Sequence, residues 1–521
     1  MYGVRFASRL TGATAVLLFA HLSSAHAQAP PAQSPGHEHE AAQPATSVTH
    51  DMSTMAREGS GTSWLPDASP MYMVHRQKGP WMLMAHENVF LQFLHESGNR
   101  GAHQGGSINW VMGMAERSAG RGHLAVRSMI SVEPWTIRGC GYPDLLASGE
   151  QCGGEAIHDR QHQHDLAMEL SAEYDGPIRG GTRWKVFGGP AAEPALGPVA
   201  YPHRISAMPN PIAPIAHHWF DSTHVSFGVV TAGVYGTRWK MESSAFNGRE
   251  PDERRKNIDF GALDSMAGRV WFLPTPRLAM QVSAGHLREA EPGDGVEPRR
   301  DVNKTTATAT YHRLGERLVW ASTAGWGVNS EGGHATHALL AETSVTRDDR
   351  DSWFGRFEVV GKTAHDLDIA PPVAACTDCV DVETFTVSKI QGGYTHYLDS
   401  RAFKAGAGLV VSAGFVPGRL RAAYGGTVNT GFGVFLTIRP AMVSVQTEAV
   451  HAAGAAGGGR TMVMVQTAFD PAKLTCPVGF DPGTAPSTIY EGKTYYFCSG
   501  ADRDTFLTDP KMSLSMMPPK Q

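Results

Sequence analysis

Charge and long apolar runs are both scarce in this chain. Only 18% of its 521 residues are charged, and 45 Lys and Arg against 50 Asp and Glu leave a formal charge of −5. No basic block accompanies that balance, which argues against a nucleic-acid partner. After the first few dozen residues no segment offers the roughly eighteen uninterrupted apolar residues of a membrane-spanning helix. A sustained 3.6-residue periodicity is missing as well, and so is G-x-S-x-G or any similar nucleophile–base motif, so no enzyme is expected. Cysteine is sparse at six residues, whereas glycine is plentiful at 58.

What is present begins with an export signal. Arg5 and Arg9 precede the apolar stretch "TGATAVLLFA" and small residues ending in Ala25-His26-Ala27. That order reads as a signal peptide over 1–27, cut before Gln28. Residues 28–70 are rich in Pro, Ala, Gln and Ser and poor in core-forming residues, the composition of a disordered tail. His37 and His39, with His50, Asp51, Met52 and Met55, make that tail either a plain solvated tether or a chelator of a transition metal.

From residue 81 the pattern has a period of two. "HDLAMELSAEY" sets Leu166, Met168, Leu170, Ala172 and Tyr174 against Ala167, Glu169, Ser171 and Glu173. Such strands are half-buried in a sandwich, or line a polar lumen with lipid outside. Connection lengths choose between these. Sixteen segments, from 81–94 to 429–439, are joined alternately by short links ("RSAGR", "DGPIRG", "LPT", "RLG") and mostly long ones (134–164, 189–221, 247–264, 364–383). Short turns on one rim and long loops on the other belong to an outer-membrane barrel. The expected fold is therefore all-β, a transmembrane antiparallel barrel of about sixteen strands, within a range of roughly 14–18, over residues 71–440. An even count leaves both ends on the periplasmic side.

The long loops hold the chemistry. "IHDRQHQHDL" supplies His158, His162 and His164, and "IAHHWFDSTH" supplies His217, His218 and His224, with Asp159, Asp165, Asp221 and His203 nearby. Imidazoles and carboxylates at this density bind a divalent metal, or close polar networks that fix a large loop. Cys140 and Cys152 enclose eleven residues of one loop, as a loop-stabilising disulfide would. Cys376 and Cys379 form a C-x-x-C with no βαβ pattern around it, which leaves a tight disulfide or a thiolate clamp.

Past "GFGVFLTIRP" a Gly/Ala-rich linker covers 441–470, and a small module covers 471–521. In that module a Cys-Pro-Val entry at 476–478, "YEGKTYYFCS" at 490–499, Phe506 and Asp509-Pro510 resemble the YHS domain, a treble-clef-like heavy-metal module. The resemblance implies a small α+β fold with a metal held by Cys476 and Cys498. Asp502 stands where a third thiolate is expected, which implies a mixed site or, alternatively, a Cys476–Cys498 disulfide. Met512 and Met516 in the tail add thioethers, which favour copper(I) or silver(I), with zinc a weaker candidate. The stretch from 50 to 440, through "YPHRISAMPNPIAPIAHHWFDSTH" and "FNGREPDERR", resembles a group of proteobacterial outer-membrane proteins that accompany metal-resistance genes. Together these imply a barrel that binds, resists or exports copper or another heavy metal. Its expected partners are outer-membrane lipid, the ion and periplasmic metal-handling proteins. The alternative is a porin-like channel whose tails and cysteines are structural.

Overall fold

The computed structural model describes residues 57–153, 155–291, 300–369, 383–400, 402–443, 487–490 and 493–496. Sixteen antiparallel strands close into a ring. In chain order they are β1 (Trp81–Glu96), β2 (His103–Ala119), β3 (Gly122–Ile130), β4 (Ala167–Pro177), β5 (Arg183–Ala191), β6 (Val229–Tyr235), β7 (Trp239–Phe246) and β8 (Ser265–Thr275). The ring continues with β9 (Leu278–Glu291), β10 (Arg300–Leu314), β11 (Leu318–Glu331), β12 (His334–Arg347), β13 (Asp351–Thr363), β14 (Thr384–Tyr397), β15 (Phe403–Phe415) and β16 (Val428–Pro440). Closure is β16 on β1, with Gly431 opposite Glu96 and Ile438 opposite Val89. β1 is longer than that pairing, and a short strand, Val74–Lys78, covers its remaining edge, Val74 opposite Ala85 and Lys78 opposite Trp81. An open edge is thereby avoided, as a lipid-exposed ladder requires.

Alternation makes the barrel polar inside and apolar outside. On β12 and β13, Leu339, Trp353 and Phe357 face outward and exposed, while Glu342, Arg356 and Glu358 are buried inward. Leu91, Met266, Val282, Val411 and Leu436 continue the outer apolar band. Trp184, Trp239, Trp320 and Trp353 open their strands at the short-turn rim and are exposed there, an aromatic girdle at a lipid–water boundary. The surface is that of a membrane-spanning barrel.

Many strand ends shift by a few residues, and for three of the shifts hydrogen bonding gives the reason. The connection between β1 and β2, expected over 95–106, is only 97–102 because the two strands stay paired out to His95–His103. The connection between β11 and β12, expected over 328–334, is a two-residue turn, since the strands pair out to Glu331–His334. A strand expected from 222 starts only at Val229, because Ser222–His224 forms a 3-10 turn.

The lumen is filled from both rims. Residues 192–228 carry prolines at 194, 198, 202, 209, 211 and 214, which cannot donate to a ladder, so the segment folds inward as coil instead of joining the sheet. It is fixed by the inner wall. Ala195 N–H donates to Ser244 Oγ (2.7 Å), Gly197 N–H to Ser283 Oγ (2.8 Å), and Ala216 N–H to Glu358 Oε1 (2.9 Å). Asn88 and Asn210 amides close further bonds to Met208 O and Gln391 Oε1, both 3.0 Å. Residues 57–69, expected to belong to the solvated tail, enter from the other rim. Trp64 and Leu65 are buried there, Thr62 O accepts from Lys240 Nζ, and Ser69 Oγ lies 2.7 Å from His312 Nδ1. The loop between β3 and β4 carries a hairpin (Tyr142–Cys152 with Glu155–Gln161) and the Cys140–Cys152 disulfide, with Cα atoms 5.6 Å apart.

Candidate metal centre

The two histidine-bearing loops, far apart in sequence, meet inside the barrel. The short helix His217–Phe220 brings His217 and Asp221 together one turn apart, Nδ1 to Oδ1 2.9 Å. Asp221 is fixed in turn. Its Oδ2 accepts from Tyr201 N–H (2.7 Å) and from Arg204 Nη1 (2.9 Å). Arg204 also reaches Glu342 on β12 (2.6 Å), which Arg356 on β13 approaches at 3.0 Å. All of these charges are buried, so each depends on its partners.

Every imidazole of the cluster is held at Nδ1. His218 Nδ1 lies 3.0 Å from Glu250 Oε1, and His164 Nδ1 lies 2.9 Å from Glu133 Oε1. His224 Nδ1 faces Asp221 O at 2.8 Å, and His162 Nδ1 faces Gln163 O at 3.0 Å. A carbonyl or carboxylate at Nδ1 fixes the tautomer and leaves Nε2 with its lone pair. His164 uses that lone pair on Tyr201 OH, 3.1 Å away. The Nε2 atoms of His217, His218 and His224 have no hydrogen-bond partner although they are buried. Burial depresses His217 to about 4, only partly opposed by Asp221. His162 and His224 are likewise held well below the ordinary value, chiefly by burial. Asp221 goes the other way: burial alone would raise it, but Arg204 and His217 hold it well below the usual carboxylate range. Neutral rings beside an ionised carboxylate are the state a metal requires of its ligands.

Ring spacing fits a shared ion. His217 lies 5.1 Å from His224 and 5.5 Å from His218, centroid to centroid, and His162 lies 6.0 Å from His217. With metal–nitrogen bonds of about 2.0–2.1 Å, two imidazoles on a tetrahedral ion stand about 5 Å apart by the same measure. Among the described residues no three such donors already form a coordination shell. Closing one asks for rotation about χ2, which is a broad torsion. Gly149, at φ +119°, passes directly against the His218 ring, so only a residue without Cβ fits there.

His162, His164, His217, His218 and His224 thus come together, whereas His158 faces Asp368 across 3.4 Å. Cys376, Cys379, Cys476, Cys498, Asp502, Met512, Met516, His37 and His39 lie outside the described residues. Of the C-terminal module, the paired strands Ser487–Tyr490 and Lys493–Tyr496 are described. Glu133, Tyr201 and Glu250 escaped the sequence reading. Glu133 sits in "SVEPWT" with no histidine beside it, and nothing local marks it as a partner.

No protein-family model matches the chain, and no curated protein does. Among solved structures, an anion-selective porin from Comamonas acidovorans is similar over 69% of this chain and 99% of its own, at 10% identity and a TM-score of 0.43. OmpF of Salmonella typhi in complex with daunomycin is similar over 70% and 100%, at 10% identity and 0.41. OprB of Pseudomonas putida is similar over 69% and 94%, at 8% identity and 0.41. Values this low decide neither family nor activity, and the architecture rests on the chain's own strand pairing.

Proposed function

We propose that this protein is an outer-membrane barrel of a Gram-negative bacterium that handles a transition metal, copper before zinc, at the imidazole cluster in its lumen. The observation that carries the reading is the set of three buried Nε2 atoms, on His217, His218 and His224, that lack a hydrogen-bond partner while their Nδ1 atoms are fixed. Other buried polar atoms, such as Arg204 Nη2 and His312 Nε2, also lack a partner, but these three lie on rings that face one another, His217 being 5.1 Å from His224 and 5.5 Å from His218. Imidazole nitrogens suit copper and zinc. In this reading the short turns and both chain ends face the periplasm. The Cys476, Cys498 and Asp502 module and the His37 and His39 tail there capture ions for the barrel. A general diffusion porin is the weaker reading, because residues 192–228 and 57–69 occupy the lumen it would need open.

The test is metal analysis of protein purified from membranes. The full chain, a chain lacking residues 465–521, and the full chain with His217→Ala and His224→Ala are compared. Metal lost only with the histidines supports the lumen site, and metal lost only with the module moves function to the terminus. Metal-free protein that conducts ions freely in a planar bilayer would establish the porin reading.

A further inference from the structure

A second group of metal-competent side chains lies on the opposite side of His224 and contains no residue of the imidazole cluster. On the inner wall, His86 of β1 is the register partner of Met112 of β2, and Met112 is the partner of Met129 of β3. Directly opposed residues on one face have Cβ atoms about 4.5–5.5 Å apart, so the three form one inward row. Met112 and Met129 are each only 3% exposed. From the lumen segment His203 descends onto that row. Its Nε2 is 3.3 Å from Met129 Sδ, while His86 Nε2 is 3.0 Å from Met112 Sδ. The two imidazoles are 5.3 Å apart, and the Trp110 ring covers both, at 4.6 Å from His203 and 5.0 Å from His86.

We propose that His86, Met112, Met129 and His203 form a binding site for a soft monovalent ion, copper(I) or silver(I). At the tetrahedral angle of a four-ligand ion, with bonds of roughly 2.0 Å to nitrogen and 2.3 Å to sulfur, a nitrogen and a sulfur stand about 3.5 Å apart. The two observed hydrogen-bonded pairs, at 3.0 and 3.3 Å, open by about half an ångström or less to reach it. Two thioethers with two imidazoles form a neutral, soft set that selects copper(I) or silver(I) over zinc. Two thioethers turned toward imidazoles inside a polar lumen also go beyond gap-filling, the usual work of methionine.

The surroundings extend the argument in both directions. Met114 packs against the buried cluster that contains Met112 and Met129 and against the Met82–Met84 pair, on which Met71 and Met73 also pack. Met71 and Met73 lie next to Tyr72, which bridges Met442, so this thioether track starts at the rim where both ends of the barrel chain leave. On the far side, a cavity of about 10 Å³ is lined by Met129, Met168, His203 and His224. It joins the soft row to the imidazole cluster.

The site is tested on the full chain in detergent micelles, with Cys476→Ser and Cys498→Ser in every sample so that terminal thiols do not compete. Methionine methyls carry 13C, and Met112→Leu and Met129→Leu assign the two resonances. One equivalent of silver(I) should shift both methyls saturably, and zinc(II) should leave them in place. His203→Phe should weaken the silver response at least tenfold. His217→Ala with His224→Ala should leave it intact, which separates this site from the imidazole cluster. If the two methyls of folded protein do not move with silver, or if His203→Phe leaves the response undiminished, the row is packing alone and the proposal is overturned.

Discussion

Lowering the pH from 7.0 to 5.5 separates a buried imidazole centre from an ordinary surface one. An imidazole with the usual value near 6.5 passes over that interval from mostly neutral to about nine-tenths protonated, and as a ligand it weakens metal binding about eightfold. Two such ligands cost about seventyfold. His217 is depressed by burial to about 4, so its neutral fraction changes by only about 3%. His224 is also held well below the ordinary value, first by burial and then by His217 and His164. Zinc affinity of the full chain, with Cys476→Ser and Cys498→Ser to silence the terminal thiols, should therefore fall less than about tenfold, which allows for one further ligand of ordinary value. Competition against a zinc indicator of known pH dependence at 7.0 and 5.5 measures it. A fall of about seventyfold or more would refute the claim that these two rings are buried neutral ligands.

Stability should also fall as the pH is lowered. A histidine depressed from 6.5 to about 4 in the folded state binds its proton only after unfolding over that window. Stability is thus lost as pH falls from about 6.5 to 4, by about 3 kcal/mol for His217 alone. Denaturant titrations followed by tryptophan fluorescence at pH 7 and 4.5 should show it, and unchanged midpoints would contradict it. Arg204→Met leaves Asp221 buried without its guanidinium and should cost about 3–5 kcal/mol. It should read out as faster proteolysis within 192–228 while the heat-modifiable barrel band survives. Gly149→Ala should weaken zinc binding by displacing the His218 ring, with the strand content by circular dichroism unchanged. Reducing Cys140–Cys152, or replacing both with Ser, should destabilise the β3–β4 loop by about 2–3 kcal/mol and leave the strands closed, as hydrogen exchange would report.

The barrel was legible in the residues because its rule is local. A strand between lipid and a polar lumen must alternate, so Glu342 with Leu339 and Arg356 with Phe357 already declare their faces in the sequence, and turn lengths give the order. The Cys140–Cys152 bond was legible for the same reason, being a short-range closure. Strand ends were not, since β1 runs on to Glu96 and β2 starts as early as His103 only because two backbones hold each other there.

The sequence by itself also named the five histidines of the cluster, as ligands of a divalent metal or as closers of a loop network. Tertiary structure decided that they meet inside the barrel. The proline-rich 192–228 segment cannot join the sheet, the inner wall offers Ser244, Ser283, Glu342 and Glu358 as anchors, and the segment therefore turns inward. Only then does His217 meet Asp221, Arg204 and His224, and His203 reach Met129. Composition and period fix what each strand must face, because that depends on neighbours two residues away. Which nitrogen is left without a partner depends on residues such as Glu133 and Glu250 at remote positions in the chain, and that is settled only when the barrel closes around them.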